Sequence, residues 1–193
     1  MKKFELTAEF VTNVFGKKLF RIKALVAFGN VEKGELGGFI EKEDNLSHDG
    51  DAWVYGNAQV YGNAQVFGNA RVYGDAWVFG NARVYGDAWV YGNARVYGDA
   101  WVSGDAQVYG DAQVSGNADY AVVAGFGRYF RTTTFFRCKD KIIRVQCGCF
   151  YGDLAQFREI VKKTHGDSKY AKEYLAIADL MELHFSDECG GEQ

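Results

Sequence analysis

The chain has 193 residues, 48% of them hydrophobic, and its 22 Lys and Arg stand against 25 Asp and Glu for a net charge of −3. That apolar content is enough to bury a core, while the acidic balance argues against duplex nucleic acid, whose binding draws on Lys and Arg contacts to phosphates. No stretch approaches the roughly 20 apolar residues of a membrane span and the Met-Lys-Lys start lacks an apolar signal run, so a cytoplasmic protein is expected.

Residues 1–49 read as an N-terminal β cap. Two mixed runs, Phe4 to Phe15 and Leu19 to Phe28, flank a Gly-Lys-Lys and suit a hairpin better than a helix. Residues 29–49 look like an imperfect first turn of the repeat block that begins at Gly50, placed to cover its exposed edge.

From Gly50 to Ala121 the chain is twelve uninterrupted six-residue units, beginning GDAWVY, GNAQVY, GNAQVF and GNARVY. A short fixed period marks a solenoid, because one unit is too small to bury its own apolar face. Ala and Val lie two apart, as in Ala52 and Val54, so they share one face of a short strand and form the uniform interior. Gly followed by Asp or Asn supplies the corner. If three sides close a coil, the units make about four coils, a prism on the order of 20 Å tall.

Every third unit then stacks. One face carries Trp53, Arg71, Trp89 and Gln107; the next Gln59, Trp77, Arg95 and Gln113; the third Gln65, Arg83, Trp101 and Asp119. Arg neighbours Trp and never Arg, which permits cation–π stacking and separates like charges. A second outward row runs Tyr55, Tyr73, Tyr91, Tyr109, then Tyr61, Phe79, Tyr97, then Phe67, Tyr85. These rows read either as self-stacked ladders that stiffen the prism or as a binding or oligomer face. Ser103, Ser115 and Ala121 interrupt them near the last coils, where docking of the C-terminal segment is expected.

The ungapped Val-x-Gly-Asn-Ala-x pattern resembles the hexapeptide repeat of the left-handed β-helix superfamily, which implies a triangular, left-handed coil. The lead-in Leu36-Gly37-Gly38-Phe39-Ile40 and Asn45-Leu46-Ser47, running into Asp-Ala-Trp-Val and Asn-Ala-Arg-Val units, is similar to the YdcK-like group of bacteria and phages. Members are often labelled transferases on superfamily grounds alone. The resemblance spans roughly residues 20–121.

Residues 122–193 read as a C-terminal α+β module. Strands are expected at Tyr120 to Phe126, Arg131 to Arg137 and Lys141 to Cys147, then helices at about Leu154 to Thr164 and Lys169 to Phe185. Tyr170, Tyr174, Ile177, Ala178 and Met181 form an apolar helical stripe expected to be core. Pieces of this module resemble C-terminal modules of phage and prophage proteins.

Three constellations bear on chemistry. The superfamily's acyltransferases typically use a His base beside an acyl-coenzyme A groove, but no His lies within residues 50–121 and only His48 is near the first coil. It reads mainly as a polar cap residue and only weakly as a base. Cys147 and Cys149, with Cys138 and either His165 or Cys189, supply soft metal ligands, yet the spacing is not Cys-x-x-Cys and buried thiols are the better reading. No metal or cofactor is expected. Residues 128–144 hold six basic residues against Asp140 alone. There Arg131, Arg137 and Arg144, mixed with aromatics, suit a phosphate-bearing or single-stranded ligand, or a solvated hairpin.

The expectation is therefore a mainly β protein: a left-handed β-helix with two caps that acts as a non-enzymatic binding or assembly protein. A homo-oligomer is expected, with a host protein or a small nucleotide as further partner if the chain is a phage-encoded counter-defence factor. The alternative is a hexapeptide-repeat acyltransferase.

Overall fold

The computed structural model describes residues 1–186, which fall into two compact units, Met1–Asn117 and Ala118 onward. The first unit opens with the antiparallel hairpin β1 (Phe4–Thr12) and β2 (Lys18–Ala24), followed by β3 (Leu36–Ile40). Eleven two-residue strands then recur every six residues. One parallel column stacks β4 (Trp53–Val54), β7 (Arg71–Val72), β10 (Trp89–Val90) and β13 (Gln107–Val108). A second stacks β5 (Gln59–Val60), β8 (Trp77–Val78), β11 (Arg95–Val96) and β14 (Gln113–Val114) on β3. The third holds β6 (Gln65–Val66), β9 (Arg83–Val84) and β12 (Trp101–Val102). This is a β-solenoid of about four turns in the expected three-sided register.

The interior is the Ala/Val set. Every Ala and Val from Ala52 to Val114 is fully buried. Each corner glycine from Gly50 to Gly110 adopts a positive φ. A Cβ built on Gly86 would sit 2.9 Å from the Gly104 amide nitrogen one coil on, so the corner demands glycine both for φ and for approach. Gly116 has no positive φ, and there the repeat ends. Asp119 is accordingly not a fourth rung of the third face. It lies in a 3₁₀ turn, Asn117–Asp119, and the Asn117 Oδ1 accepts the Trp101 backbone N–H at 2.8 Å.

The corner side chains form their own ladder. Asn57 donates to Asp75, Asn69 to Asp87, Asn81 to Asp99 and Asn93 to Asp111, at 2.9–3.3 Å and always 18 residues apart. An amide donor one coil below a carboxylate gives that carboxylate a partner in place of a like charge.

The cap matches the chemistry of the edge it covers. Along the stack N–H groups point to the following coil and carbonyls to the preceding one, as in Gln59 N–H to Ala76 O, so the first coil exposes carbonyls. The cap brings donors. Lys3 Nζ donates to Gly50 O and Ala52 O at 3.1 and 2.9 Å, and the fully buried Asn45 donates through Nδ2 to Gly62 O and Ala64 O at 3.1 and 2.8 Å. The backbone N–H groups of Phe39, Glu41 and Ser47 satisfy Ala58, Val60 and Val66.

The second unit is a four-stranded antiparallel meander, β15 (Tyr120–Phe126), β16 (Arg131–Arg137), β17 (Ile143–Cys147) and β18 (Phe150–Asp153), then α1 (Leu154–His165) and α2 (Lys169–Phe185). The fourth strand is an addition to the three expected. Asp153 caps α1, its carboxylate accepting the Gln156 N–H at 2.8 Å, and Ser168 caps α2. Phe135 and Val145 from the sheet pack with Phe157, Val161, Tyr174, Ile177, Ala178 and Met181. Tyr170 is 37% exposed and falls outside the stripe, whose ends are instead Ala171 and Phe185.

Candidate functional site

Six of the seven Trp and Arg residues expected on the solenoid exterior are there, in three cation–π pairs. The Arg71 guanidinium lies 5.4 Å from the Trp89 ring, Arg83 4.9 Å from Trp101, and Arg95 4.7 Å from Trp77. Register explains this: each pair occupies facing positions on adjacent rungs. The seventh, Trp53, is not on the surface. It is fully buried, with its ring edge-on to Phe28 at 5.4 Å and Phe4 at 6.2 Å. The cap hairpin covers the base of that face, a tertiary contact that the repeat pattern does not contain.

The second aromatic row is a set of ladders. Ring centroids lie 4.9 Å apart for Tyr73 and Tyr91, 4.5 Å for Tyr91 and Tyr109, 5.0 Å for Tyr61 and Phe79, 5.2 Å for Phe79 and Tyr97, and 4.9 Å for Phe67 and Tyr85. Each such pair contributes about 0.5–1.5 kcal/mol beyond the area it buries. Burial pushes the Tyr61 and Tyr73 hydroxyls up to about 12. On the first face Asn30, Tyr55, Arg71, Tyr73 and Trp89 line a recess of about 380 Å³. Asn30 carries no signal of this in the sequence, because it reaches the face only through the folded cap.

His48 belongs to the cap. Its Nδ1 accepts the Lys3 backbone N–H at 3.1 Å, its Nε2 faces Glu43 Oε2 at 3.6 Å, and its ring stacks on Phe4 at 4.3 Å. An open recess of about 490 Å³ borders it, lined also by Glu43, Ser47, Gln65 and Phe67. The nitrogen a base would use to take a proton is thus either occupied or turned to a carboxylate.

Three arginines expected to act together in the C-terminal unit are dispersed. Arg131 and Arg137 stand at opposite ends of β16, six residues or roughly 20 Å apart. Arg137 pairs with Asp119 at 3.5 Å and donates to Phe185 O at 3.3 Å. Arg144 sits opposite Phe136 on the other sheet face and pairs with Asp140 at 2.7 Å. Cys138 is buried, Cys147 partly buried and Cys149 exposed; Cys189 lies outside the described residues. Among the described residues no His, Cys, Asp and Glu group is arranged to hold a metal ion.

The repeats have a recognisable relative. Residues 64–79, 76–92 and 89–104 match the family model of the YdcK beta solenoid repeat. The matched residues include the rungs bearing Arg71, Trp77, Arg83, Trp89, Arg95 and Trp101. No curated protein matches the sequence. Among the described residues no helix is long and apolar enough to cross a membrane.

Proposed function

We propose that the chain is a non-catalytic binding and assembly protein, in which the solenoid is a rigid scaffold and its Trp/Arg faces contact a second copy of the chain. The supporting observation is that Trp89 and Trp101 stay 37% and 44% exposed while each is held in a cation–π stack. Aromatic surface fixed before contact loses little conformational entropy on association. Trp and Arg alternate up the faces, so a copy related by a twofold axis across the stack sets Trp against Arg, as a self-complementary interface requires. Binding a host protein or a small nucleotide, and a counter-defence role for a phage-encoded chain, extend the same reading to another occupant of these faces and rest on the family resemblance.

Sedimentation velocity on wild type and Trp89→Ala/Trp101→Ala tests it. The expected result is an oligomer that becomes a monomer in the double variant while the far-ultraviolet circular dichroism is retained. A folded double variant with unchanged sedimentation overturns it. Acyl transfer is the second reading, favoured by the recess beside His48; coenzyme A-dependent turnover lost with His48→Ala would establish it.

A further inference from the structure

The C-terminal unit contains a small pocket that the assembly reading does not use. Its volume is about 180 Å³, and its lining is chiefly apolar. Phe157, Val161 and Tyr174 are its buried wall, Cys147 and Cys149 also line it, and so do the exposed Arg128, Tyr129 and Arg131. An apolar cavity of about 150 Å³ accepts benzene, so this one has room for a single aromatic ring. Aromatic and sulfur neighbours are favourable walls for such a ring.

Charge says what the ring carries. The unit's described residues include five arginines, and three are neutralised locally: Arg137 by Asp119, Arg144 by Asp140, and Arg158 by Asp179 and Glu182. Arg128 and Arg131 form no ion pair among the described residues. Both guanidiniums stack on the Tyr129 ring, at 5.6 and 5.0 Å, and both line this pocket. The turn that carries them is constrained. The Gly127 N–H donates to Glu173 at 3.0 Å, and Phe130 is held at a φ of 51°, a left-handed conformation that an aromatic residue rarely adopts. Backbone strain of this kind concentrates where a site must be held ready.

We infer that this pocket binds a small aromatic anion, with one ring inserted against Phe157 and Tyr174 and a phosphate or carboxylate bound at the mouth by Arg131 and Arg128. A guanidinium fork accepts either anion through paired N–H donors. The apolar wall is what separates this site from a merely basic surface, because inorganic phosphate gains nothing from it.

Phenyl phosphate, benzoate and inorganic phosphate, titrated separately into the full chain and followed by amide chemical shifts, test the assignment. The tighter of the two aromatic probes identifies the anion. Either is expected to bind at least tenfold more tightly than inorganic phosphate, with the largest shifts at Cys147, Phe157 and Thr164. Arg131→Gln, at an exposed position, is expected to weaken binding at least tenfold, and Thr164→Trp, exposed on α1, to block the mouth. Equal affinity for inorganic phosphate and both aromatic probes overturns the inference, as does undiminished binding in both folded variants.

Discussion

In the solenoid a side chain meets its copy or its complement 18 residues away, whereas in the C-terminal unit the partners are irregularly spaced. Tyr73 finds Tyr91, Asn69 finds Asp87 and Arg71 finds Trp89 by one translation along the stack. Arg137 finds Asp119 and Arg158 finds Asp179 only because a sheet and two helices happen to bring them together. Repetition thus produces an ordered surface with open recesses, while the irregular unit produces a small, chiefly apolar pocket flanked by two arginines that form no ion pair among the described residues. Extended contact suits the first and a small ligand the second.

The solenoid axis is where substitution costs most. Val84 is fully buried among other Val and Ala side chains, and Val84→Asp should cost on the order of 4 kcal/mol or more, because a buried carboxylate there has no partner. Loss of a cooperative thermal transition would confirm it. Next come the corners. Gly86→Ala and Gly104→Ala both place a side chain at positive φ, for about 1–2 kcal/mol. A Cβ at Gly86 also meets the next coil, whereas one at Gly104 has nothing within 4 Å. Gly86→Ala should therefore be the more destabilising in urea, and equal losses would show that coil contact is irrelevant.

Cap and ladder respond to alkaline pH in opposite directions. Burial holds the Lys3 amine down at about 8, against an ordinary 10.5. Between those values the unfolded chain binds more protons, so stability rises with pH. For Tyr61 and Tyr73, raised from 10 to about 12, the stability present below pH 10 is lost as pH climbs toward 12. The urea midpoint should pass through a maximum near pH 10, and Lys3→Met should remove the rising limb. The smallest effect is expected from Arg95→Ala. Its exposed stack on Trp77 is worth under about 1 kcal/mol, measurable as a small change in urea midpoint and in Trp emission.

Legibility in the sequence divides along the same line. The coil register, the buried Ala/Val axis and the Arg–Trp neighbours are properties of a six-residue period, and a period is visible without a fold. Trp53 occupies the same place in its unit as Trp89, yet only one is buried, because Phe4 and Phe28 arrive from outside the repeat. Lys3 and Asn45 act as edge donors through contacts 17 to 49 residues away, with no local signature. The basic run of residues 128–144 shows that cations cluster there. Which of them are already paired depends on β16 and β17 placing Arg137 and Arg144 on opposite faces, near Asp119 and Asp140.

Native mass spectrometry of the gently purified wild-type chain tests for assembly through the Trp/Arg faces. Assembly through the Trp/Arg faces requires a mass of two or more times 21.5 kDa, reduced to 21.5 kDa by Trp89→Ala/Trp101→Ala. A wild-type chain that stays at 21.5 kDa across the accessible concentration range would contradict it.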